Sequence, residues 1–230
     1  MVEVDTNATL FTPLKNRTDT DMHWSYITLL NRIRATGIPP KCHILDNEYY
    51  ESMKTLIKQH WTLELLPPHC HRHNVAEVAI QAFKQHLLSI ISGVEKYFTM
   101  HQWEHLLPQA ELTLNLIRQS NTIPTVSAYA EMFGPFDYNR NTLGPMGCDV
   151  LIHEKPNVYA TWDNHAVYGW YFQPPPDNYR AHIYRANKTN ADRMSDTVVL
   201  QHKHITKLTI KQADHIIKAI RNLEQSTKGL

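Results

Sequence analysis

Glycine is scarce in this sequence, with seven in 230 residues. Proline is scattered, so no low-complexity linker stands out. No apolar run reaches the roughly 18 residues that a membrane-spanning helix needs, which excludes such a helix. The N-terminus has no basic segment followed by an apolar one, so no signal peptide is expected. There are only three cysteines, Cys42, Cys70 and Cys148. Their number is odd and they lie far apart, which excludes a disulfide framework and points to a reducing, intracellular compartment. Charge of one sign is also lacking. The net charge of +1 leaves no global field to hold a polyanion. No internal repeat is evident.

What is present is enough to fold. Hydrophobic residues make up 42% of the chain, which supports a real core. The length accommodates one large domain or two small ones. The charge is unevenly spread: between Tyr179 and Arg221 nine Lys/Arg face three Asp, a local balance of +6. This basic C-terminal third reads either as a nucleic-acid footprint or as a solvated charged face.

Taken in order, 1–4 and 8–14 read as two short strands that make a hairpin around the turn cluster Asp5-Thr6-Asn7. Asp19 to Ala35 reads as a helix, with cap candidates Thr18, Asp19 and Thr20 and an apolar face of Trp24, Ile27, Leu30 and Ile33. It is expected to cross over to a strand from Lys41 to Leu45 that runs parallel to its predecessor. Tyr49 to His60 is a second helix with a stripe of Tyr50, Met53, Leu56 and Ile57, and Thr62 to Leu66 is a strand. Val75 to Ser92 is a helix with Ile80, Phe83, Leu87 and Ile91 on one face. Gln102 to Arg118 is another, with Trp103, Leu106, Leu107, Ala110, Leu114 and Ile117 inward and a kink or short preceding turn at Pro108. Ser127 to Phe133 is a short helix. From Cys148 the pattern turns to β in DVLIHE, AVYGWYFQ, YRAHIYRA and SDTVVL. Four or five such strands make a small barrel or curled antiparallel sheet. Its aromatics and arginines either grip nucleic acid or, in the case of the aromatics, fill the core. Thr209 to Gln225 reads as a helix with Ile216, Ile217, Ile220 and Leu223.

The stretch from His43 to Lys84 organises the rest. An apolar strand delivers a carboxylate, Asp46, at its C-terminal end, where α/β folds place their ligands. A Pro-marked polar loop follows. A helix then presents Glu77 in its first turn, and Gln81 and Lys84 share its face by helical spacing. Glu77 also fits as an acid favoured by the helix dipole. Two converging carboxylates are what a divalent-metal phosphoryl-transfer site needs, since hard cations take oxygen ligands. The loop residues His69, Cys70, His71, Arg72 and His73 invite a zinc reading, but no second Cys/His cluster exists to complete a tetrahedron. They read instead as a polar, partly cationic loop beside a phosphate-handling site, or as a plain solvent-exposed loop.

ILDN followed by PPHCHRHNVAEVAIQAFKQH resembles the core of a copia-type retroelement integrase. Asp46 and Asn47 fit the family's DN, Pro67 and Pro68 its loop, and Asn74, Ala76 and Glu77 its N-x-x-A-E-type ending. LLPQAELTLNLIRQS, SAYAEMFG and GCDVLIHEKP resemble the segments after that core. The resemblance covers roughly residues 1 to 205. Three features depart from it. The 30 residues between Asp46 and Glu77 are fewer than the family usually has, and Val78 stands where an Arg is common. The segment VEVDTNATLFTPLKNR matches the family's second and third strands, and the first catalytic Asp lies on the strand before them.

The resemblance implies an α/β fold: an RNase H-like integrase core lacking its first strand over 1–140, a small mostly-β module over 141–205, and a C-terminal helical tail over 206–230. It implies DNA integration by metal-dependent phosphoryl transfer, with Asp46 and Glu77 as catalytic ligands of Mg²⁺ or Mn²⁺ and with Gln81, Lys84 and Arg72 touching DNA. It also implies a nuclear site of action and a fragment inactive by itself for want of the first Asp. Neither Glu3 nor Asp5 replaces that Asp by position. The alternative is a non-enzymatic nucleic-acid-binding remnant. Without its first strand the sheet would carry an exposed edge open to self-association.

Overall fold

The computed structural model describes residues 1–46, 49–66, 75–153, 162 and 164–201. The architecture is mixed α/β. The described residues form five α-helices, a two-stranded parallel sheet and a five-stranded antiparallel sheet. The chain divides into two compact units, one comprising Met1–Ser92 with Met100–Tyr138 and the other Gly93–Thr99 with Asn139–Leu230. Among the described residues no helix is long and apolar enough to cross a membrane.

The first unit is built around helix α1 (Asp19–Ala35). Its start is chemically marked: the Thr18 side chain accepts from the Asp21 N–H, and Asp19 and Asp21 sit at the positive end of the helix dipole. Arg32 and Arg34 complement the opposite end. The buried face keeps Leu30 and Ile33 of the predicted stripe, with Ile27 partly buried, but excludes Trp24 and adds Tyr26 and Leu29. Trp24 is 59% exposed, while Tyr26, Leu29, Leu30 and Ile33 go inward. The reason is that α1 serves two clusters. Leu29 and Ile33 pack with Ala8, Leu10, Ala128 and Met132. Tyr26 and Leu30 pack with Met53 and Ile57 of α2 (Glu51–His60).

Residues 1–14 form a hairpin-like turn and not two strands. A single bridge joins Val2 to Thr9, and Glu3 N–H donates to Ala8 C=O at 2.9 Å. A different partner replaces the expected ladder. The Asn115 side-chain amide both donates to Thr9 C=O and accepts from Thr9 N–H, each at 2.8 Å, as a neighbouring peptide would. Glu111 accepts from Phe11 N–H at 2.6 Å and is ion-paired with Arg32. Both side chains come from α4 (Leu107–Ile117) and both are buried.

Strand β1 (Cys42–Leu45) lies parallel to β2 (Thr62–Leu65), with Ile44 opposite Glu64. Among the described residues β1 pairs with β2, and not with the 8–14 segment expected to precede it. Tyr50 caps α2 and is exposed, so it leaves the predicted stripe. Helix α3 (Val75–Gly93) buries Ala79 and Phe83, whereas Ile80 is exposed. The predicted helix over Gln102–Arg118 divides at Pro108 into a 3₁₀ stretch, Met100–Leu106, and α4, whose first turn holds the proline. Trp103 and Ile117 lie outside the core, against expectation. Helix α5 (Ala128–Phe133) begins at Ser127, whose hydroxyl accepts from Ala130 N–H.

The second unit is an antiparallel sheet of β3 (Asp149–His153), β4 (Ala166–Gln173), β5 (His182–Ala186), β6 (Ala191–Ser195) and β7 (Val198–Gln201), in the order β6-β5-β4-β3-β7. Its inner face holds Val150, Ile152, Tyr171, Tyr184 and Ala186, joined by Val198 and Leu200. Alternation along the strands explains this set, since side chains two apart share a face. Strand β6 (ADRMS) has no apolar pattern and is not predicted. It forms as the return arm of a tight turn in which Asn190 adopts φ +50° and its N–H donates to Ala186 C=O at 2.8 Å. Phe98, from residues 93–99, packs edge-on against Trp170 and Phe172, with centroids 5.8 and 6.4 Å away.

Candidate functional site

Asp46 follows β1 directly and is exposed at the C-terminal end of the strand. Its carbonyl accepts from Tyr49 N–H at 3.4 Å, closing a turn toward α2. The Tyr49 phenol is held above its ordinary pKa, first by burial and then by the Asp46 charge, while Arg17 acts in the opposite sense. Asp46 and Arg17 thus both act electrostatically on one ring. The Tyr50 hydroxyl donates to the Arg17 carbonyl at 2.7 Å, and the Ser52 hydroxyl to Asp19 at 2.5 Å. These bonds tie α2 to the segment leading into α1.

Glu77 stands in the first turn of α3 and is half-buried. At about 100° per residue, Gln81 and Lys84 fall within roughly 40° of Glu77 around the helix axis. Ala79 and Phe83 fall on the opposite side and are buried. Gln81 and Lys84 are both exposed. Two contacts fix this rotation. Phe83 stacks on Phe11 at 3.6 Å between ring centroids, and His86 Nε2 lies 2.8 Å from Thr113 Oγ1 of α4. The anchored face turns Glu77, Gln81 and Lys84 the other way.

Near the N-terminus the Glu3 carboxylate is engaged locally, and Asp5 is held through its backbone. Glu3 accepts from Thr6 N–H at 2.7 Å and from its hydroxyl at 2.6 Å, closing its own turn. Asp5 is an exposed turn residue whose carbonyl accepts from Asn121 and Thr122 N–H. Among the described residues no group of three or more His, Cys, Asp or Glu is placed to hold a metal ion. Asp46 and Glu77 are hard oxygen donors of the kind Mg²⁺ and Mn²⁺ take. Mg²⁺ is commonly held by one or two carboxylates with water completing its shell. The donor chemistry therefore suits a single such ion. The described residues do not supply the acid set of a two-metal centre. Asn47, Arg72 and the whole loop 67–74, together with 202–230, lie outside the described residues.

A shallow concavity lined by Arg34, Ile38, Pro39, Pro40 and Trp61 sits where β1 and β2 begin. It lies at the ends of those strands away from Asp46. The Arg34 guanidinium lies over the Trp61 ring at 4.9 Å. His43 packs against Trp61 and Tyr26, its Nδ1 3.4 Å from the Tyr26 hydroxyl, and burial pushes its pKa down. Sequence reading missed Arg17 as a neighbour of the Asp46 end. Its position in a loop upstream of α1 carries no periodic signal, and only a charge in the run KNRTDT marks it.

No family model matches the chain, and no curated protein matches it.

Proposed function

We propose that this chain carries the RNase H-like core of a copia-type retroelement integrase, with the end of β1 and the first turn of α3 as its acidic centre. The observation that supports this reading best is the pairing of two placements. Asp46 ends a parallel strand, and Glu77 opens the later helix on the face that also carries Gln81 and Lys84. Asp46 and Glu77 would hold Mg²⁺ or Mn²⁺. When bound, such an ion supplies Lewis-acid stabilisation of charge on a phosphodiester and its attacking oxygen. Gln81 is a hydrogen-bonding contact for DNA, and Lys84 a cationic one for a backbone phosphate. Arg72 belongs to the same reading, as does action in the nucleus. Strand β1 has one pairing edge in use among the described residues, and its other edge is the place for self-association.

The test is calorimetric titration of Mg²⁺ or Mn²⁺ into the protein, beside Asp46→Asn and Glu77→Gln. Binding in the parent that is lost in both variants supports a shared site. Absence of binding in the parent defeats the reading.

A second reading is a nucleic-acid-binding protein without catalysis. It is favoured by the lack of a three-acid cluster among the described residues. It predicts DNA binding that weakens steeply with salt, with a log–log slope reduced by about 1 in Lys84→Ala. Binding indifferent to salt would exclude it.

A further inference from the structure

The concavity between the end of α1 and the start of β2 holds a cation that the fold leaves without a counter-ion. Arg34, Ile38, Pro39, Pro40 and Trp61 enclose about 320 Å³, at the low end of small-ligand clefts. Its walls are fixed. The chain leaves α1 through Gly37, at φ +83°, and Pro39 and Pro40 then lock the backbone that follows. Ile38 packs against the cluster of Ala8, Leu10, Leu29 and Ile33, and Trp61 against that of Tyr26, Leu30, Met53 and Ile57. His43 and His60 meet the Trp61 ring edge-on, 5.2 and 5.3 Å between centroids. The Arg34 guanidinium lies over that ring at 4.9 Å. Among the described residues no carboxylate pairs with Arg34, whereas Arg32, in the same last turn of α1, is ion-paired with Glu111. No acidic side chain among the described residues lines the cleft.

We propose that this cleft binds an acidic peptide segment of a partner protein: Arg34 takes a carboxylate, and an adjoining apolar side chain lies against Ile38, Pro39 and Pro40. Charge complementarity selects that occupant. A guanidinium held over an indole still presents its N–H fork, which matches a carboxylate bidentately. The remaining walls are apolar, so the carboxylate must come attached to an apolar body. Other occupants fit less well. A nucleic-acid strand carries a charge at every nucleotide and is gripped by a track of cations, and this lining offers one. A second copy of the chain docked through the same patch would set like charges face to face. The rigid walls leave little to order on binding, which is what a small site needs. The site is separate from the Asp46 end of β1 and does not rest on any reading of it.

The test is a titration of the full chain, followed by backbone amide resonances, with the capped dipeptide acetyl-Phe-Asp-amide and its isostere acetyl-Phe-Asn-amide. The acidic peptide should shift the amides of Arg34, Gly37, Ile38 and Trp61, and the asparagine peptide should bind about tenfold more weakly. In Arg34→Gln the two peptides should bind alike, at the weaker affinity. Arg34 is exposed and makes no ion pair among the described residues, so this variant leaves the fold intact. Equal binding of the two peptides to the parent, or no shift at these four amides, overturns the proposal. Tighter binding of phenyl phosphate than of the acidic peptide also overturns it, by assigning the cleft to a phosphate.

Discussion

In the first unit the backbone of Thr9 is paired by a side chain, the Asn115 amide, donated from a helix 106 residues away in sequence. In the second unit the corresponding groups are paired by strand against strand, from β6 through to β7. Both answers satisfy buried N–H and C=O groups, which must find partners. They differ in what they expose to mutation. A ladder shares its bonds among many backbone atoms and survives most side-chain changes. A side-chain mimic of a strand concentrates two bonds in one residue. The sheet unit has a different weakness, the close approach of strands, felt at Gly169. A Cβ there would lie 2.4 Å from the Arg185 carbonyl oxygen and 2.9 Å from Ile152 Cδ1.

The largest expected effect follows from the first weakness. Asn115→Leu keeps the side-chain size but strips partners from a buried N–H and a buried C=O. It should cost about 4 kcal/mol in urea unfolding of the first unit, two unsatisfied groups being involved. A loss under about 1 kcal/mol would mean that Thr9 finds other partners. Next comes Gly169→Ala, where the opposing atom is backbone and cannot rotate away. About 2 kcal/mol should be lost, with amide exchange accelerating in β4 and β5 and not in α1. Exchange that accelerates in α1 as well would break the separation of the two units.

A smaller effect is shared by both units. Burial lowers the pKa of His43 and His86 in the first and of His182 in the second. His43 Nε2 and His182 Nδ1 are enclosed with no hydrogen-bond partner among the described residues, so protonation would bury an unmatched donor. The unfolded chain takes up these protons first. Stability is therefore full above the ordinary histidine pKa of about 6.5 and is lost as pH falls through the lowered folded values. Urea midpoints should drop between about pH 7.5 and about pH 5, and His43→Phe should flatten that slope in the first unit alone. A midpoint that rises on acidification would contradict the sign. The smallest expected change is in the stability of Asp46→Asn. Its exposed carboxylate makes a shift beyond about 0.5 kcal/mol unexpected, so any loss of metal binding in that variant is a loss of ligand and not of fold.

Local chemistry was legible where a residue acts on its own neighbourhood. Thr18 and Ser127 mark the starts of α1 and α5, and Pro108 divides the predicted long helix. Helical spacing alone places Glu77, Gln81 and Lys84 on one face. What could not be read depends on distant partners. Trp24 is turned outward because α1 must face two clusters at once. Nothing in residues 8–14 announces that Asn115 and Glu111 will stand in for a strand. Strand β6 is held by its turn and its neighbour, with no pattern of its own. At the candidate site, Asp46 and Glu77 could be named from the sequence. Arg17 could not, since only the tertiary fold brings it near Tyr49.

The central claim is that Asp46 and Glu77 serve one cation, and paramagnetic broadening by Mn²⁺ tests it most directly. In a titration followed by backbone amide resonances, signals around Leu45–Asp46 and around Ala76–Gln81 should fade together at the same Mn²⁺ concentration. Glu77→Gln should spare both. Fading at only one of the two places, or at neither, would contradict the shared site and leave the two carboxylates as unrelated surface acids.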